Sequence, residues 1–128
     1  MRPHHSILLA ALLTLPLAGC ALVVGAGAAY IVTEEYLPDG FYETHVALDV
    51  DELWEAAQTG MGHLIIGSLV TEENPRRLTG EFRGQDMIVE VQAVDLDKSL
   101  LRVQAKQMIG YDEENARYVT DYILRQVD

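Results

Sequence analysis

One cysteine, Cys20, is all the thiol in this chain of 128 residues. No disulfide can close within one copy, so packing and hydrogen bonding must hold the fold. A zinc site built on several cysteines is excluded for the same reason. Aromatic residues are scarce, with one Trp and two Phe, and there are only four prolines. Positive charge is short too: nine basic residues stand against twenty acidic ones, a formal charge of −11. That balance speaks against nucleic acid and anionic headgroups, because backbone phosphates demand a basic patch. A solvated acidic surface accounts for the charge; a basic partner is the other reading.

Chemical motifs are missing as well. His45 and His63 lie far apart with no H-x-x-x-H spacing, so no metal site is expected. Asp95-Leu96-Asp97-Lys98-Ser99 starts like a calcium loop but has Leu100 where glycine belongs and Lys106 where the closing glutamate belongs. Ser68 and Ser99 have no G-x-S-x-G context. The acid pairs Glu34-Glu35, Glu72-Glu73 and Glu113-Glu114 read as solvated faces, and neighbours on a strand point to opposite sides. Val23 to Tyr30 opens like a dinucleotide-binding G-x-G-x-x-G turn, but Tyr30 takes the third glycine position and no βαβ unit follows. No catalytic residue, cofactor or metal is expected.

What is present begins at the N-terminus. Met1-Arg2-Pro3-His4-His5 carries one formal positive charge, and Ser6 to Leu17 is almost wholly apolar. This is the layout of a secretory signal. It leads into Leu17-Ala18-Gly19-Cys20, which resembles a bacterial lipobox at all four positions. The resemblance implies diacylglycerol on the Cys20 sulfur, cleavage between Gly19 and Cys20, and acylation (palmitate, for example) of the new amine. Lipidation would use the one unpaired thiol, and several chains anchor a protein durably where one does not. An uncleaved anchor is the alternative. Ala21 rather than Asp after the cysteine implies the outer membrane, facing the periplasm, by the same resemblance. Cleavage would leave 109 residues with a charge of −12, one small domain with a modest core and no deep cavity.

Three segments follow from this: a signal peptide over 1–19, a lipidated tether over 20–40 and a globular domain over 41–128. Residues 21–32 are apolar, rich in Gly and Ala, and too short to span a bilayer. They read as a helix lying at the membrane or packing through Gly25 and Ala29, or as a loose spacer. Leu37-Pro38-Asp39-Gly40 is a turn. Phe41 to Leu48 alternates as a strand. Asp49 caps a helix whose stripe is Val50, Leu53, Trp54, Ala57, Met61 and Leu64. Gly60 and Gly62 weaken its end or mark a close backbone contact. Strands follow over Ile65–Glu73, Leu78–Arg83, Met87–Val94 and Leu100–Met108, with tight turns at 74–77, 84–85 and 95–98. Asp112 caps a last helix with Ala116, Val119, Ile123 and Val127 on its buried side and Arg117, Asp121 and Arg125 paired outside. Tyr118 falls nearly opposite that stripe, and with Tyr122 marks a contact surface.

The order β-α-β-β-β-β-α predicts an α+β fold, with two helices on one face of an antiparallel sheet of about five strands. Leu17 to Cys20, Val23 to Ala29, Leu53-Trp54-Glu55-Ala56, Gly80 and Glu113 to Val127 together resemble a family of small bacterial lipoproteins with a single domain of unknown function. Gly60-Met61-Gly62 departs from that family, which keeps strong helix formers there. The expected role is a non-enzymatic envelope lipoprotein that binds or scaffolds a protein, reaching the membrane through Cys20. A small-ligand or lipid carrier is the alternative, which a cavity lined by Trp54, Leu101 and Val103 would favour. A hydrolase would require His45 or His63 in a cleft beside an acid.

Overall fold

The structure is a computed structural model that describes residues 29–127. The expectations for the signal, the lipobox and residues 20–28 lie outside them. Strand β1 covers Ile31–Tyr36 and β2 Phe41–Val46, joined by the turn at Leu37–Gly40. Gly40 sits at φ +87, and a Cβ there would run into the Tyr111 ring. Helix α1 is Val50–Leu64, started by Asp49, whose carboxylate accepts from the Asp51 and Glu52 amides at 2.6 and 3.2 Å. Such a cap satisfies donors the helix itself cannot, and acids there suit its positive end.

Helix α1 runs straight through both glycines. At Gly60 the reason is the neighbouring helix α2, Glu113–Leu124: an added Cβ would lie 3.0 Å from Ile123 Cγ1 and 3.2 Å from its Cα. At Gly62 nothing lies within 4 Å. Helix α2 starts at Asp112, which accepts from the Asn115 amide at 3.0 Å, and it buries Ala116, Val119 and Ile123 as its pattern predicts.

Strands β3 (Val70–Glu73), β4 (Arg76–Phe82), β5 (Gln85–Asp95) and β6 (Lys98–Lys106) complete one antiparallel sheet in the order β1-β2-β6-β5-β4-β3. The fold is α+β as expected, with six strands instead of about five. The additional strand is β1, inside the segment assigned to the tether, so the sheet begins at Ile31 rather than Phe41. Its four middle residues are exposed, so no alternation shows, and the backbone ladder to β2 defines it. The strand expected within Ile65–Glu73 is Val70–Glu73; Ile65 itself ends the helix, its amide donating to Met61 O, and packs on Gly80. The β4–β5 turn is Arg83-Gly84, one residue earlier than expected, with both residues at positive φ (+54 and +75). That is the geometry of a two-residue hairpin turn matching strand twist.

Alternation divides the sheet into two faces. Tyr42, Thr44, Val46, Leu78, Met87, Val89, Val91, Leu101, Val103 and Ala105 point to the helices and are buried with Leu53, Trp54, Met61 and Ile123. On the opposite face, one row crosses all six strands: Glu35, Glu43, Arg102, Glu90, Arg77 and Glu72. Arg102 bonds Glu43 at 2.7 Å and Glu90 at 2.5 Å, and Arg77 holds Glu90 through two nitrogens at 2.9 and 2.6 Å. The Arg102 guanidinium also lies 4.0 Å from the centre of the Phe41 ring.

Candidate interaction surface

Tyr118 and Tyr122 are one helical turn apart on α2, and the structure extends them into a row. The Tyr118 ring stacks on Phe82 at the end of β4 (5.8 Å, 14°) and on Tyr122 (6.4 Å, 25°). Tyr122 meets His63 of α1 edge-on, with its hydroxyl 3.1 Å from the His63 Nδ1. Arg83 lies over both Phe82 and Tyr118, at 4.8 and 4.3 Å, within the range of cation–π attraction. One of its nitrogens donates to Asn115 Oδ1 at 3.2 Å. Tyr118 retains 38% of its exposure. It is exposed, as its place opposite the buried stripe predicts, and it is also held between an arginine and two rings.

A polar clamp fixes the row from below. Gln85 donates to Asp112 Oδ2 at 2.9 Å, and the Asn115 side-chain amide donates to Gln85 Oε1 at 2.7 Å. These bonds tie the β4–β5 hairpin to the start of α2. The Gln85 bond, with the Asn115 amide, holds the Asp112 carboxyl below the usual carboxylate range. A shallow depression of about 330 Å³ opens there, lined by Arg83, Gln85, Asp112, Glu114, Asn115 and Tyr118. Sequence periodicity located the two tyrosines because they share a helix face. It had no means of finding Phe82, Arg83 and His63, which arrive from other elements.

The described chain enters at the opposite end of the sheet, where Ile31 pairs with Val46 and Tyr30 O accepts from Ala47 N. The end carrying Arg83 also carries Met108 and Ile109, 98% and 88% exposed. The strand expected to reach Met108 stops at Lys106, because Gln107 to Gly110 close a turn and Asp112 N returns to Ala105 O. That lifts Met108 and Ile109 to the tip. Gln107 contacts Gln85 at 3.4 Å, so the tip adjoins the base of the aromatic row.

The other candidates stay apart. His45 lies on the open sheet face near Thr33, and His63 lies on the helix layer. Among the described residues no group of three His, Cys, Asp or Glu converges. Asp95 accepts from the Leu96 amide in a hairpin turn. Leu101, Val103 and Trp54 are packed into the core rather than around a cavity. Among the described residues no helix is long and apolar enough to cross a membrane. Gly19 and Cys20 lie outside them. No family model matches the chain, and no curated protein matches it.

Proposed function

We propose that this chain is a non-enzymatic bacterial envelope lipoprotein, anchored through Cys20, whose domain holds a protein partner on its aromatic end. The observation that carries the binding half is the row Arg83–Phe82–Tyr118–Tyr122–His63. It is pre-stacked, half-exposed and placed at the end of the sheet away from chain entry. Tyrosine and arginine anchor interfaces well because each offers a large contact area with a polar end, and a ring already stacked loses little freedom on binding. Arg83 spends one donor on Asn115, which leaves others for a partner carboxylate or carbonyl. The packed core supports a surface-binding module over the alternative, a carrier for a lipid or small ligand.

The anchoring half rests on Leu17-Ala18-Gly19-Cys20. Acyl chains on Cys20 would fix the domain to the membrane, by resemblance the outer membrane on its periplasmic side, with the aromatic end directed outward. Two measurements on native cells test this. Intact mass and fractionation should show loss of residues 1–19, added lipid mass and a membrane location, all abolished by Cys20→Ala. A photo-crosslinking residue at Tyr118 or Ile109 should give discrete protein adducts, and one at Leu96, near chain entry, should not. Equal fractionation of wild type and variant would end the anchor reading. Identical adduct patterns at all three positions would end the binding one.

A further inference from the structure

We infer that the depression between Arg83 and Asp112 binds the zwitterionic head of a free α-amino acid, its carboxylate on Arg83 and its ammonium on the Asp112 and Glu114 side. This adds a small ligand at the same end of the domain, and it stands whether or not that end also holds a protein.

Arg83 is a placed cation without an anion. Arg76, Arg77, Arg102 and Arg117 each bond a carboxylate, whereas Arg83, like Arg125, makes no ion pair among the described residues. In a chain with twenty acids to nine bases, pairing would be the default. What holds Arg83 is neutral. Its guanidinium lies 4.3 Å from the centre of the Tyr118 ring and 4.8 Å from that of Phe82, and one nitrogen donates to Asn115 Oδ1 at 3.2 Å. A guanidinium carries five N–H donors in a planar fork that matches a carboxylate, so most of this one remains to be used. The turn itself does not ask for arginine. Arg83 takes the first central place of the β4–β5 hairpin at φ +54, where Asn, Asp or Gly is the usual occupant. A bulky residue held there against its backbone preference points to a use for its side chain.

The facing wall is fixed and negative. Asp112 accepts from Gln85 Nε2 at 2.9 Å and from the Asn115 amide at 3.0 Å, and the exposed Glu114 lines the same depression. The Gln85 bond and then the Asn115 amide do most to hold the Asp112 carboxyl low, and Arg83 adds to that across the depression without closing a bridge. Asn115 joins the two walls. It is 6% exposed and gives one side-chain amide hydrogen to Gln85 Oε1 at 2.7 Å. Among the described residues no acceptor takes the other hydrogen, which leaves it for a ligand carboxylate beside Arg83.

The occupant's chemistry follows by elimination. A simple anion on Arg83 would also face Asp112 and Glu114, and a simple cation beside those acids would face Arg83. A group that carries both charges satisfies each wall. Side chains already held in place lose little freedom in receiving it. At about 330 Å³ the depression is at the small end of ligand sites, which suits a single amino acid. It is shallow, so the ligand's own side chain stays in solvent and selection falls on the head group.

The test follows the side-chain N–H signals of Arg83, Gln85 and Asn115 by NMR as the mature chain is titrated with alanine. All three should shift and saturate together. N-acetylalanine lacks the ammonium and alaninamide lacks the carboxylate, so each should bind at least about tenfold more weakly, the scale of one charged hydrogen bond. Arg83→Asn puts a residue the left-handed turn position accepts in place of the cation. It should abolish the shifts at Gln85 and Asn115, with the fold checked by its thermal transition. Failure of alanine to give saturable shifts overturns the proposal. So does equal binding of either blocked compound by the unaltered chain, or undiminished alanine binding by the variant.

Discussion

The two faces of the sheet are built from the same strands by different physics. Leu101 and Arg102 are neighbours on β6, yet Leu101 is sealed under the helices and Arg102 is clasped by Glu43 and Glu90 on the open side. Inside, stability comes from apolar area removed from water, which is non-directional and not subject to charge screening. Outside, it comes from the geometry of a few charged hydrogen bonds, which are stronger than neutral ones but exposed to screening. One face is intolerant of altered volume and the other of altered charge.

Leu101→Ala should break this contrast most severely, costing about 2–5 kcal/mol in denaturant unfolding through lost burial and a residual cavity. Its cost should not shrink as salt rises. Glu90→Gln keeps the shape but removes the charge shared by Arg77 and Arg102. It should cost roughly 1–3 kcal/mol, the range for hydrogen bonds to charged groups, and the loss should shrink as salt rises. Equal salt dependence in the two variants would dissolve the distinction.

A second pair sharpens the contrast within one helix. Gly60→Ala drives a methyl into the Ile123 backbone and should destabilise by about 1–3 kcal/mol, the usual cost of overpacking. Gly62→Ala meets open space and should stabilise by about 0.5–1 kcal/mol through helix propensity and a less free unfolded chain. Thermal melts of the two variants should shift in opposite directions.

The smallest effects concern two aspartates with opposite signs. Asp112 is lowered in the folded state, so its contribution is present above the unfolded carboxylate range and is lost as pH falls through the folded value. Asp112→Asn should therefore destabilise at neutral pH and flatten the acid limb of the stability profile. Asp121 is raised, so its charge opposes folding once pH exceeds the folded value. Asp121→Asn should stabilise slightly at neutral pH, with the gain vanishing on acidification. Matching pH profiles for the two variants would refute these assignments.

Much of the fold was legible because burial leaves a period. Val50, Leu53, Trp54, Ala57 and Met61 outline α1, and Leu101, Val103 and Ala105 outline the inner side of β6. What escaped was whatever burial does not mark. β1 and β3 carry mostly exposed side chains and exist through their backbone ladders. The insertion of β6 beside β2 leaves no local trace, because the residues that meet there are remote in sequence. Of the candidate surface, Tyr118 and Tyr122 were visible through their spacing on one helix. Phe82, Arg83 and His63 join them only after three separate elements have packed.

The β2–β6 seam also governs when this chain can become a protein. Phe41 must find Gln104, and the Ser99 hydroxyl must find Leu48 O at 2.7 Å, before the middle of the sheet exists. Strands β3 to β6 pair with sequence neighbours, so that meander is open to early formation. The β1–β2 hairpin has no sheet to join until β6 arrives, whereas α1 also packs on β4 and β5. A chain emerging from its N-terminus therefore stays unfinished until nearly all of it is out. Completing the sheet requires closing one long loop, whose entropic cost grows with the sequence separation of the strands it joins.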